Sequence, residues 1–161
     1  WTRRCRCEMA KSRFSRGDLL ALVAVLAIFG VVDSAYLTWQ WYEAASSTWC
    51  DLGDYFSCTK VRESPFSAVA GIPVAMAGVM GFGILFGLAA VGLLGIDRVG
   101  PASTVTWLFG FALLGGLIGL GLTIVEVFVI QTICILCAVG FALDLAILAM
   151  AFALRRPDLN K

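Results

Sequence analysis

The chain has 161 residues, of which 60% are hydrophobic and 14% charged, with a mean hydropathy of +0.91 and a formal net charge of +1. Soluble domains carry roughly 45–50% apolar and about 25% charged residues, so a globule coated in water is excluded, and near-neutrality excludes bulk attraction to nucleic acid. The absence of histidine removes the usual general base, the usual proton shuttle and the commonest metal ligand.

Residues 1–18 read as a basic tail. The tail opens on Trp1 rather than Met, as a trimmed or engineered end would, and holds Arg3, Arg4, Arg6, Lys11, Arg13 and Arg16. Cys5 and Cys7 also lie there and read as bystanders, with a metal or lipidation site as the minor alternative. A first apolar run over 19–42 carries a single charge, Asp33. A polar loop over 43–73 follows, with Cys50 and Cys58 flanking Asp-Leu-Gly-Asp-Tyr-Phe-Ser. Spacing alone allows this pair to be a structural staple or a mobile redox pair. No charge occurs from Ser64 through Ile96 or from Val99 through Val125, and Val127 to Leu154 carries only Asp144. About 20 apolar residues at 1.5 Å rise cross roughly 30 Å of hydrocarbon. The runs therefore predict four membrane helices, at about 19–42, 74–95, 103–130 and 134–154. Lipid offers no partner to a free backbone N–H or C=O, so each must be helical. Residues 19–154 form the predicted membrane domain, and 155–161 a second tail.

Ten of the twelve Lys and Arg lie before the first span, between the second and third, or after the fourth; only Lys60 and Arg62 lie on the other side. The positive-inside rule puts both termini in the cytoplasm and the 43–73 loop and the turn at 131–133 outside, in the plasma membrane of a cell. Trp39, Trp41, Tyr42 and Trp49 fit an aromatic belt at the outer surface. The outer side is where disulfides persist. Four cysteines, Cys50, Cys58, Cys134 and Cys137, then share it.

Cys134 and Cys137 are three apart on one helical face at the start of the fourth span, where unpaired N–H groups stabilise an anion. The thiolate is the nucleophile in disulfide exchange. Cys137 lies about 4.5 Å deeper than Cys134, which assigns Cys134 to the loop and Cys137 to a lipid-soluble acceptor. The alternatives are two small buried apolar residues, a disulfide-stapled membrane scaffold without enzymatic activity, and a zinc site of four thiolates. The favoured reading holds no metal. Carboxyls inside a membrane are costly and mark functional positions; Asp33 is the preferred proton relay, with Asp144 and Glu126 as further candidates. Gly83-x3-Gly87 and Gly115-x3-Gly119 are small-residue pairs that let helices approach closely, and Gly71-Ile72-Pro73 marks a break at the start of the second span.

The order Cys50-x7-Cys58, Lys60-Val61-x2-Ser64-Pro65-Phe66, Gly71-Ile72-Pro73 and Glu126-x-Phe128-Val129-Ile130-x3-Cys134-x2-Cys137 resembles the vitamin K epoxide reductase (VKOR) family, specifically its prokaryotic members. The resemblance covers about residues 19–154. DsbB-type oxidases carry the two cysteine pairs in the reverse order. The resemblance implies an all-α integral membrane fold: a four-transmembrane-helix bundle around a quinone (ubiquinone, menaquinone or a relative), with an outer loop containing a short half-helix in the 64–72 stretch. It implies a membrane thiol–disulfide oxidoreductase. Electrons pass from a thioredoxin-like, DsbA-like partner to Cys50/Cys58, then to Cys134/Cys137, then to quinone, supporting disulfide formation. The reductive direction, toward quinone or epoxide, is the family's alternative. Ser64 matches the family's Ser/Thr beside the quinone, Phe66 follows it, and Phe141 stands where vertebrate members have tyrosine. With the chain ending at Lys161 and no fused thioredoxin-like domain, the expected partner is a separate periplasmic or extracellular protein.

Overall fold

Helix is the state in which an apolar run satisfies its own backbone, and every predicted run adopts it. The computed structural model describes residues 15–43, 50–51, 53, 55–69 and 71–155. Cys5, Cys7, Arg3, Arg4, Arg6, Lys11, Arg13, Trp49, Arg156 and Lys161 lie outside them. Among the described residues, four helices are long and apolar enough to cross a membrane. They are α1 (Arg16–Glu43), α3 (Val74–Leu93), α4 (Thr104–Val125, continued by a π-helical turn over Glu126–Ile130) and α5 (Ile135–Leu154). A short helix α2 (Cys58–Glu63) lies in the loop between α1 and α3.

Several ends are set by local chemistry. Ser15 and Asp18 form a reciprocal cap at the start of α1: the Asp18 N–H donates to Ser15 Oγ at 3.2 Å and the Ser15 N–H to Asp18 Oδ2 at 3.0 Å. Ser103 caps α4, accepting the Thr106 N–H at 3.2 Å. Two small antiparallel ribbons lead into helices: β1 (Ala68–Val69) pairs with β2 (Ile72–Pro73) before α3, and β3 (Arg98–Val99) with β4 (Ala102–Ser103) before α4. Their turns pass through Gly71 at φ +80° and Gly100 at φ +65°, where a Cβ would be strained. The short helix of the outer loop thus sits earlier than the 64–72 stretch. Ser57 and Asp51 supply an N-cap at Cys58, whereas Pro65 and the ribbon to Pro73 deny 64–72 a helical ladder.

The four long helices form a ring in which α1 packs on α3 and α5, and α4 on α3 and α5. One end is close-packed. Leu20, Val23 and Ala27 of α1, Leu85 and Ala89 of α3, Leu108 and Ala112 of α4, and Ile147, Ala151 and Leu154 of α5 fill it. Arg16, Asp97 and Arg155 gather at this end, with Arg16 bonded to Asp97 at 2.6 Å and the Arg155 guanidinium 4.6 Å from the centre of the Phe109 ring. Towards the opposite end the helices part around a cavity. That end is roofed by a second cluster, Cys50, Cys58, Cys134 and Leu136, with Tyr36, Leu37 and Val61 against it.

The two glycine pairs separate. Gly115 and Gly119 lie under Asp144 and Phe141 of α5, so a Cβ at either would clash. Gly83 and Gly87 are exposed with nothing near them and serve no packing within the described residues.

Candidate functional site

Three local devices bring the two cysteine pairs together. The first is a backbone tie. Phe56 forms an isolated parallel bridge with Ile133, and the Ile133 N–H donates to the Tyr55 carbonyl at 2.9 Å. The second fastens the start of α2: Asp51 accepts from Ser57 Oγ at 2.8 Å, the Thr59 N–H at 3.1 Å and Thr59 Oγ1 at 2.6 Å, while Ser57 Oγ accepts the Lys60 N–H at 3.3 Å. Both acceptors neighbour a cysteine in sequence. The third is a tight turn after α4. Gln131 takes a left-handed conformation at φ 56°, and the N–H groups of Gln131 and Thr132 return to the Glu126 carbonyl. The chain reverses within four residues and delivers Cys134 to the head of α5.

Cys50 and Cys58 form a disulfide with Cα atoms 5.9 Å apart. Cys134 and Cys137 are free thiols. Cys134 Sγ lies 3.2 Å from Cys58 Sγ, although the residues are 76 apart in sequence. Cys50, Cys58 and Cys134 are 1%, 4% and 1% exposed, and Cys137 is half-buried. Cys134 is itself the N-cap of α5, its sulfur accepting the Cys137 N–H at 3.3 Å. A thiol in contact with one sulfur of a disulfide is the arrangement from which exchange proceeds through a mixed disulfide.

The sulfurs of Cys50, Cys58 and Cys134 fall within 4.8 Å of one another, close enough in space to hold a metal ion. Two of them are bonded to each other, however, and so offer no thiolate ligand. The cluster is a disulfide with a free thiol against it.

Below the sulfurs lies a cavity of about 470 Å³, within the range of small-molecule sites. Nine of the ten residues singled out from the sequence line it: Cys58, Cys134, Cys137, Ser64, Phe66, Phe141, Asp33, Asp144 and Glu126. Cys50 stands behind Cys58, away from it. Ser64 Oγ donates to the Val61 carbonyl at 2.7 Å, leaving its lone pairs for the cavity. Phe141 packs over Gly119, and Asp33 reaches the α5 backbone at Gly140, one turn beyond Cys137. Asp144, a turn further, is 6% exposed, and its Oδ2 has no hydrogen-bond partner among the described residues.

Trp41, Ser34 and Arg62 line the cavity without a sequence signal for that place. Trp41 is turned inward to line the cavity, whereas Trp39 and Tyr42 are exposed. Ser34 lies against Gly78, and Arg62 lines the wall while donating to the Gln40 carbonyl at 3.0 Å. Glu126 is buried beside the thiols, its Oε2 accepting the Cys134 N–H at 3.2 Å. A π-helical turn, frequent at functional sites, is the local feature that marks it.

One prediction follows from the fastening of α2. Asp51→Ala leaves three donors without their acceptor and costs about 1–2 kcal/mol, the range of a lost cap. Reduction of Cys50–Cys58 by dithiothreitol, followed by alkylation and gel shift, is then expected to quicken by about 5- to 30-fold. An unchanged rate would show that Asp51 does not hold the loop.

Compared with known protein families, residues 21–152 match the model of the Vitamin K epoxide reductase family. No curated protein matches the chain.

Proposed function

This chain belongs to the vitamin K epoxide reductase family, as a multi-pass membrane disulfide oxidoreductase, and we propose that it carries electrons from a thioredoxin-like dithiol protein through Cys50/Cys58 and Cys134/Cys137 to a quinone. The observation that carries this reading is the 3.2 Å approach of Cys134 Sγ to Cys58 above a cavity that Cys137 lines. The proposed orientation sets the basic end of the bundle, with residues 1–18 and 155–161 as tails, in the cytoplasm and the cysteines outside the plasma membrane, supported by ten of twelve Lys and Arg lying on one side.

The redox steps run along the sulfurs. A partner's two thiols reduce Cys50–Cys58 and become a disulfide themselves. Cys58, as thiolate, attacks Cys134 of an oxidised Cys134–Cys137 pair and releases the Cys137 thiolate. Cys50 then attacks Cys58, releasing Cys134 and restoring the loop disulfide. The state with the loop bonded and Cys134 and Cys137 free is the product of this transfer. Cys50 is buried, so exchange with a partner requires the loop to open.

The cavity suits a quinone headgroup. Its apolar walls, including Phe66, Phe141 and Met80, are interrupted by few polar atoms, and one of these, Asp144 Oδ2, is buried without a hydrogen-bond partner among the described residues. Phe66 and Phe141 would hold the ring, and Ser64 and Asp33 its oxygens. A bound quinone supplies an acceptor for two electrons and two protons. Phe141 contributes packing alone, because it lacks the hydroxyl a tyrosine would present.

The testing experiment uses the full chain in lipid vesicles with a reduced thioredoxin-like protein. Thiol loss from the partner is expected only when quinone is present, with one disulfide formed per quinone consumed. Equal oxidation without quinone would overturn the reading.

A further inference from the structure

We propose that Glu126 is the proton-exchange group of Cys137, taking the thiol proton as the pair at the head of α5 is oxidised and passing it to the acceptor; this rests on the quinone reading above.

Glu126 is the first residue of the π-helical turn, 6% exposed, and lines the same cavity as Cys137. One carboxylate oxygen holds the Cys134 N–H at 3.2 Å, and the side chain lines the same cavity wall as Cys137. It is therefore bonded to one half of the Cys134–Cys137 pair and shares a cavity with the other. Uncompensated carboxyls at membrane depth are costly, and an amide would serve equally well if the task were only to hold a backbone N–H. What a carboxylate adds is the capacity to accept a proton. No histidine exists in the chain to do so.

The charge surroundings fit this role. From α5, Cys134 and Cys137 face Glu126. From α2, which packs on the π-helical turn, Cys58 is held in its disulfide, and Arg62 lines the cavity while bonded to Gln40; Lys60 is the other cation of that helix. From α1, Asp33 lines the same cavity.

The step balances as follows. The Sγ–H bond of Cys137 breaks and its proton moves to the Glu126 carboxylate. A bond forms between the sulfurs of Cys134 and Cys137, which lose two electrons, and the quinone is reduced to quinol. One quinol proton comes from Glu126, which returns to carboxylate. The other comes from the Cys134 thiol.

The test has one readout without quinone. In fully reduced protein in vesicles, the rate of Cys137 alkylation by a maleimide is followed by mass spectrometry over about pH 5 to 9. In the wild type the rate is expected to level off wherever the thiol and carboxyl hold a single proton between them, because its exchange within the pair does not depend on bulk pH. In Glu126→Gln, which retains an oxygen for the Cys134 N–H, the rate should climb about tenfold per pH unit. Glu126→Asp, a second variant that keeps the carboxyl, should retain the level region. Reduction of a short-chain quinone is expected to slow by about 10²-fold or more in Glu126→Gln. A Glu126→Gln profile with the wild-type shape, or an unchanged quinone rate, would overturn the proposal and leave Glu126 as a clamp. A wild type that reduces no quinone would overturn the acceptor assignment, and the alkylation profiles would still decide whether Glu126 exchanges a proton with Cys137.

Discussion

Cys137→Ala is expected to bring quinone-dependent oxidation of the partner to background, and Cys134→Ala to do the same. The loss should reach at least about 10⁴-fold, the scale of removing a covalent nucleophile. On the proposed route, each alanine removes one sulfur of the pair that closes as two electrons leave the protein. Cys50→Ala and Cys58→Ala form the contrast. They should stop oxidation of a protein partner and spare quinone reduction driven by a small membrane-permeant dithiol, because the cavity and the Cys134–Cys137 pair remain. Partner thiols and quinone absorbance followed in one cuvette separate the two classes. Substantial turnover in either Cys134→Ala or Cys137→Ala would show that electrons reach the acceptor without that pair.

The second large effect concerns which sulfurs meet. With Cys50 and Cys137 both changed to serine, no resolving thiol remains, and oxidation should trap a Cys58–Cys134 bond in nearly all molecules. The pair with Cys58 and Cys137 changed should trap little Cys50–Cys134, because Cys58 is the sulfur 3.2 Å from Cys134. Digestion and mass spectrometry under non-reducing conditions read the crosslink directly. Equal trapping in the two variants would mean that the loop presents both sulfurs to Cys134 alike.

Much of this architecture is legible in the residue order. Apolar runs with at most one charge bound the four spans to within a few residues, because lipid punishes an unpaired charge or backbone group along them. Charge placement also predicts that the loop and the head of α5 share one end of the bundle, where Cys58 and Cys134 meet. What the sequence conceals is rotation. Helices apolar on every side carry no amphipathic stripe, so nothing in the residue order distinguishes Gly115, which lies beneath Asp144, from Gly83, which faces outward. Trp41 escapes for the same reason: its neighbours Trp39 and Tyr42 point away from the bundle while it points into the cavity. Glu126 is visible as a charge near a helix end. Its bond to the Cys134 N–H spans a π-helical turn and the reversal at Gln131, which the charge pattern does not mark.

The tie between loop and bundle carries a consequence for which substitutions the site can absorb. The Tyr55 carbonyl and the Ile133 N–H hold the redox loop against α5 through main-chain atoms alone. Side chains at 55 and 133 can therefore drift in size and polarity without untying it. Proline at 133 is the exception, since it brings no N–H. This link between loop and bundle is written in no side chain, and a comparison of side chains alone would pass over it.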